Sequence, residues 1–532
     1  MTKTITAQDV LAVINSGKEI ALIDVRERGA CARGRLLLSV NIPLSHFECR
    51  IKSYVPRHNT QVILHDTDEK LARRAARLME QFGYTDAYVL EGGVSSCAAA
   101  GFELFQHHYV FTYAFGLYVS KHYGTPEITA PELKAKMDAG EDLILLDTRQ
   151  PPEFRAASIP GSLNVPTTEL IYRIKDLVSD RTTPVFVNCG AITRGVLGGQ
   201  TLIEAGIENP MQVLSNGVRG WFLAGYSLDS ESSTEFPKAT PTALGWSDQA
   251  KVAVKNTTPV SVIEFEQLQL WQDDPSRTLF IVDVRTESEY NAGHLHNSRW
   301  ILGSEMVGLY EDYIATRNAR ICLVDDNEAR AIVAATWLVR MGWPDVHVLK
   351  GGVCSHHLET GPPLSTIVEP RVSVEQISTN KLADWVAESK VLVLDFADSA
   401  TYEAGHIPGA WWTIRSSLPY NINKLPSTAH IVTTSPDGML GALAAADLDS
   451  LLTIPVSTLS GGTNAWISEG RATTKGLTRT IGEIDDLLPD VTIRESDDHT
   501  TAIACAQRLV QWQEKLLQKI ELDRSFSFPP LP

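Results

Sequence analysis

One pattern, repeated four times, constrains this chain more than any other feature of it. A short β-rich run ends in aspartate as ALIDVRE at Asp24, LILLDTRQ at Asp147, LFIVDVRT at Asp283 and VLVLDFAD at Asp395. A second motif follows about ten residues later: GRLLLSVNIPL from Gly34, ASIPGSLNVP from Ala157, GHLHNSRWI from Gly293 and GHIPGAWW from Gly405. A third closes each unit: VLEGGV at Gly92-Gly93, VLSNGVRGW at Asn216-Gly217, VLKGGV at Gly351-Gly352 and TLSGGTNAW at Gly461-Gly462. The aspartates advance by 123, 136 and 112 residues and the closing glycines by 124, 135 and 110, so two independent markers move together. A fixed period of this kind marks repeated structural units.

Each unit has the same internal order. An amphipathic helix comes first, as in ITAPELKAKMDAG, where Thr129 and Glu132 have the spacing of a capping box. A buried strand, a loop and a polar helix follow. A second apolar strand (QVILH, PVFVN, RICLV or HIVTT) leads into a long helix such as EARAIVAATWLVRMGW, and a third strand runs into the glycines. Alternating strands and helices predict an α/β fold: four small parallel sheets, each with helices on both faces. The expected divisions are 1–108, 109–228 including a connector, 229–362 including a linker, 363–480, and a helical tail over 481–532. The connector YVFTYAFGLYVSKHYG is too apolar for a tether and is expected to be packed. The linker over 228–258 is rich in Ser, Thr and Pro. The tail helix TAIACAQRLVQWQEKLLQKIEL needs a surface on another domain or on a second chain, which leaves a homodimer open.

Composition narrows the function. The 532 residues suit about four domains. A net charge of −17 argues against broad binding to nucleic acid or anionic membranes. No apolar run is long enough to span a bilayer, and the start MTKTITAQDV lacks a secretory h-region. The seven cysteines (31, 49, 97, 189, 322, 354 and 505) show no CxxC and no regular spacing. The expected compartment is a reducing cytoplasm. His107-His108 and His356-His357 lack further ligands at metal-binding spacing, so no metal is expected, and no nucleotide-binding loop is present. No cofactor is expected.

The combination of D-V-R, G-H-I-P-G-A and G-G-x-x-x-W resembles the rhodanese (sulfurtransferase) domain, four times over, and the whole chain resembles the tandem four-domain rhodaneses. In that family the catalytic cysteine follows the second apolar strand, at the start of a six-residue loop that opens a helix. Applied to each unit, this places Asp66, Cys189, Asp325 and Ser435 at the corresponding positions. Only the second unit has a thiol there, so the resemblance implies one active unit and three inactive ones. Related four-domain chains read C-A-G-x-T-R. Here the loop reads Cys189-Gly190-Ala191-Ile192-Thr193-Arg194, which moves the glycine and makes the fourth residue apolar. The fold also implies that Arg149 pairs with Glu153.

Sulfur transfer needs a thiolate that attacks the outer sulfur of a donor, so the site is expected to lower the Cys189 pKa. The helix after the loop would turn unpaired amides toward the sulfur, making a nest for an anion. Cys189 is therefore the candidate nucleophile. Arg194 would close the ring and hold a sulfonate bidentately. Gly190, expected to permit close backbone approach, would form the cradle with Ala191, Ile192 and Thr193. Arg219 is a candidate guide for an anionic donor. Cys97 and Cys354 follow the closing glycines and are candidate relay thiols. The expected substrates are thiosulfate or a similar small anionic donor and an acceptor that the sequence does not identify, a protein or a small thiol. Two other readings remain: a non-catalytic persulfide carrier or scaffold, and a phosphatase using a Cys-x5-Arg cradle, which needs a loop one residue longer.

Overall fold

The structure is a computed structural model that describes residues 2–178, 180–231, 239–353, 358–362, 368, 374–487 and 499–532. Four sheets are present, each built on the same plan. In the second unit the strands lie in the order Glu127–Ile128, Met211–Leu214, Val185–Asn188, Ile144–Asp147 and Leu163–Asn164, all parallel. Parallel neighbours need crossovers, and the helices that make them cover both faces of the sheet. This is why strands such as Val185–Asn188 are buried along their whole length. The motif aspartate ends the strand paired beside the candidate-loop strand in each unit, as Asp147 opposite Asn188. The capping box at Thr129 and Glu132 is formed.

The units are not beads on a string. Thr316–Arg317, from the third unit, adds to the first unit's sheet as an antiparallel strand along Ile20–Ala21. Such a strand covers an edge that would otherwise offer unpaired amides. The second and third units pack closely. Trp337 donates to Thr201 Oγ1 at 2.9 Å, and Arg340 pairs with Glu204 at 3.0 Å. The first and fourth units join through Arg415, whose guanidinium grips both oxygens of Glu48 at 2.7 and 2.8 Å.

The connector is a helix, Val110–Tyr123, with Phe111, Ala114, Phe115 and Val119 fully buried in the largest apolar cluster of the molecule. The tail helix, His499–Leu522, docks within the same chain, its Trp512 ring edge-on to Tyr113 of the connector. Phe526 and Phe528 beyond it sit 5.0 and 5.2 Å from Phe111, ring centre to ring centre. The linker contains a helix, Pro241–Asn256, capped by Thr240 with proline at its start, which packs on Leu170–Leu177 and Ala329–Arg340. Thr240-Pro241 is a helix-start signal, with the threonine as cap and the proline at the first helical position.

Phe111→Ala should cost about 3–5 kcal/mol, as for other fully buried aromatic truncations. It should lower the thermal midpoint and expose the tail to limited proteolysis first. Native-like melting with a protected tail would show that this aromatic cluster does not hold the tail.

Candidate active site at Cys189

The strand Val185–Asn188 ends one residue before Cys189, and the helix Thr193–Glu204 begins four residues after it. What fixes the turn between them is the closing glycine motif. The Val218 amide donates to the Cys189 carbonyl at 2.8 Å, and the Arg219 amide to the Gly190 carbonyl at 3.2 Å. Gly217 has φ +53°, and a Cβ there would overlap the Cys189 carbonyl oxygen. The same hydrogen bond recurs in the other units: Val94 to Asp66 at 2.8 Å, Val353 to Asp325 at 3.0 Å and Thr463 to Ser435 at 2.8 Å. These four residues therefore occupy equivalent positions.

The groups at the three other positions are non-sulfur acceptors. Asp66 accepts from the amides of Glu69 and Leu71, both at 2.6 Å, and of Ala72 at 3.3 Å. Asp325 accepts from the Asp326 and Arg330 amides and from Arg330 Nε, all at 2.8 Å. Ser435 Oγ accepts from the Gly441 amide at 3.2 Å. Arginine stands five residues on only at Arg194 and Arg330; Leu71 and Leu440 replace it in the other two units.

Cys189 is 3% exposed. Its electrostatics differ from the sequence expectation of a lowered pKa. Burial pushes the thiol above its ordinary value, the Arg194 charge and the amides of Gly195 and Ala191 pull the other way, and Asp147 adds to the rise. Desolvation of a thiolate outweighs the cradle because the site is closed.

Arg194 is held by carboxylates. Its Nη1 and Nη2 grip Glu153 at 2.6 and 2.8 Å, and Nη1 also bonds Glu305 of the third unit at 3.0 Å. The expected Arg149–Glu153 pair is absent: Arg149 instead chelates Asp147 two residues back and donates to the Ala157 carbonyl. The motif pair is thus internal to D-x-R, which leaves Glu153 for Arg194. Gly190 also departs from expectation. A Cβ on it would meet only Arg149 Cδ, at an ordinary 3.6 Å, whereas Gly198 and Gly199 carry the close packing. Ala191 contributes its amide, and Ile192 packs on the main core.

A cavity of about 450 Å³ opens over Cys189. Its walls come from several parts of the chain, including elements that the loop motif gives no hint of. Thr193 Oγ1 donates to the Thr112 carbonyl of the connector helix at 3.0 Å, and Gly116 of that helix lies so near that a Cβ would meet Thr193 Cα at 2.8 Å. Arg219 Nη2 donates to Tyr113 Oη at 3.3 Å; its Nη1 is buried without a partner among the described residues. The first unit contributes Arg28 and His108, the third Glu305 and Asp312, and the tail helix Leu509. Aromatic residues in a connector were the available signal for Tyr113; Glu305 had none, because its partner lies 111 residues away. Cys97 is buried and its thiol is pushed up to about 11 by desolvation, offset in part by Ser96. Cys354 and His356-His357 lie outside the described residues. Among the described residues no group of three or more His, Cys, Asp or Glu is placed to hold a metal ion.

Residues 6–100, 129–224, 264–355 and 378–469 each match the Rhodanese-like domain family. The chain belongs to the rhodanese-like domain family. A crystal structure of a thiosulfate sulfurtransferase from Pseudomonas aeruginosa, 34% identical, superposes over 100% of both chains with a TM-score of 0.93. Curated relatives match shorter stretches of the chain. The HTH-type transcriptional regulator Rv0324 of Mycobacterium tuberculosis is 33% identical over 108 residues, 20% of this chain and 46% of that protein. The putative sulfur carrier protein YrkF of Bacillus subtilis is 29% identical over 96 residues, 18% of this chain and 50% of that protein. The chain spans about half the length of these curated relatives.

In the first rhodanese-like unit, Asp66→Asn would set an NH2 group against amide donors. It should cost about 0.5–2 kcal/mol, as for a lost helix-end acceptor, and leave any sulfur transfer intact. Melting curves beside a thiosulfate assay check this; lost transfer with unchanged melting would place Asp66 in the chemistry.

Proposed function

We propose that this protein is a sulfurtransferase that moves the outer sulfur of thiosulfate, or of a similar small anion, through a persulfide on Cys189. The observation that carries the reading is that, of four equivalent positions, Cys189 alone bears a thiol, at a helix start beside a cavity lined by Arg219, whose buried Nη1 has no partner among the described residues. In the first step the Cys189 thiolate attacks the sulfane sulfur. A sulfur–sulfur bond forms to cysteine, the bond to the sulfonate sulfur breaks, and sulfite leaves with its electron pair. In the second step a thiophilic acceptor attacks the outer persulfide sulfur and the thiolate is regenerated.

The chain's residues divide the work. The amides of Ala191 and Gly195 stabilise negative charge on sulfur. Arg194 supplies positive charge at the loop's end while tied to Glu153. Arg219, with Nη1 unsatisfied, is the better-placed partner for the sulfonate oxygens, and Gly190, Ile192 and Thr193 complete the cradle. The burial of Cys189 favours a small acceptor over a protein thiol. The six residues from Cys189 to Arg194 favour sulfur over a phosphate centre, and paired assays with thiosulfate and an aryl phosphate separate the two.

Cys189→Ser should reduce thiosulfate:cyanide transfer to background while the fold persists, because a hydroxyl neither attacks sulfur nor holds it. Intact-mass measurement after thiosulfate treatment should find one added sulfur, at Cys189, in the native protein and none in the variant. Substantial residual turnover would assign the reaction to another cysteine. A persulfide that forms but turns over only with an added protein would favour the carrier reading. Arg219→Ala should raise KM for thiosulfate about tenfold or more with a smaller effect on kcat, as for loss of a charged hydrogen bond to substrate. An unchanged KM would remove Arg219 from the donor site.

A further inference from the structure

The second and third units exchange carboxylates across their interface, and the exchange is reciprocal. Arg194 of unit two takes Glu153 from its own unit and Glu305 from unit three. Arg330 of unit three takes Glu289 from its own unit, at 2.9 Å, and Glu169 from unit two, at 2.6 Å. Each glutamate donated across stands at the matching place, five residues beyond a short edge strand, Leu163–Asn164 in unit two and Arg299–Trp300 in unit three. Around Arg330 the charges close on themselves, because Asp325 occupies the thiol position and takes the same guanidinium. Around Arg194 no such aspartate exists. The group at that position is a thiol whose charge depends on how much of the arginine's field reaches it.

From this geometry we infer that Glu305 is a positioning residue of the Cys189 site, supplied by a unit that has aspartate in place of the loop thiol, which shares the Arg194 guanidinium and so limits how far that cation favours the thiolate and an anionic donor. The inference rests on the reading of Cys189 as the nucleophile. Glu305 is 2% exposed and lies in the same cavity wall as Cys189. Gly308, one turn on, lies against the stem of Arg194: a Cβ there would meet its Cγ at 2.7 Å, so the absence of a side chain lets the arginine pack directly on unit three. The ionisable groups facing Glu305 are Arg194 and Glu153 from unit two, and Asp312 and Tyr313 from its own unit. Burial raises the Glu305 carboxyl to about 7, with Arg194 opposing and Glu153 adding to the rise. Above that pH it is charged, and two carboxylates then oppose one guanidinium. Cys189 itself faces Arg194 and Asp147, which the substitution below leaves in place.

The test follows the alkylation rate of Cys189 against pH, with the label located by peptide mass, and so does not depend on sulfur transfer. Glu305→Gln keeps an oxygen for Arg194 but removes the charge. It should move the Cys189 midpoint to lower pH by about 0.5–1, with KM for thiosulfate falling several-fold and kcat changing less. Glu169→Gln, the symmetry-related change at Arg330, disturbs the same interface equally and should leave the midpoint where it is. An unmoved midpoint in folded Glu305→Gln, or equal movement in both variants, overturns the inference. Should Glu305→Gln fail to fold, the native protein still decides. Its logarithmic rate should bend near pH 7, where Glu305 gains its charge, and a straight unit-slope line from about pH 6 to about pH 8 overturns the coupling. Loss of transfer in Cys189→Ser is scored separately, so failure of the functional reading and failure of this one are distinguishable.

Discussion

A single backbone hydrogen bond, made four times, holds each loop in the shape on which everything else depends. The amide after the second closing residue donates to the carbonyl at the end of the second strand, and the closing glycine leaves the space for it. Once that loop is set, the helix behind it presents amides to whatever side chain sits at its mouth. A thiol, two aspartates and a serine all satisfy that demand. The fold therefore does not need a thiol at this position, and three units keep the same architecture without one.

Units without the thiol still shape the surroundings of Cys189. Cys189 sits in a cavity whose walls are assembled from its own unit, the first and third units, the connector helix and the tail helix. The connector reaches the loop through Thr112 and Gly116, and the third unit reaches Arg194 through Glu305 and Gly308. An isolated second unit would have the loop without its walls, and Arg194 with one carboxylate in place of two.

Much of this was legible in the sequence, for definable reasons. The α/β class and the four units were readable because aspartates and glycines recur at fixed steps, and strand and helix periods alternate between them. The loop at Cys189 was readable because strand, loop and helix are contiguous in sequence. The connector's burial showed in its aromatic residues. What was not legible is what depends on distant partners. Arg194 looked available to a donor, since nothing local hints at Glu305. The thiol was expected to be acidified, since motif reasoning counts the cradle's dipoles and not the water removed by three surrounding elements. The Arg149–Glu153 pair failed for a local reason: Asp147, two residues away, is the nearer acceptor. The linker helix hid behind residues that also make loops.

The edge strand Thr316–Arg317 and the tail aromatics Phe526 and Phe528 tie early parts of the chain to late ones. Unit one's sheet gains its last strand from unit three, and the connector between units one and two is roofed by residues near the far end. These contacts join residues some 300 to 400 positions apart in sequence. Cys189 precedes in sequence the third-unit and tail residues that wall its cavity, so a fragment that stops before Glu305 carries the thiol with that side of the cavity missing.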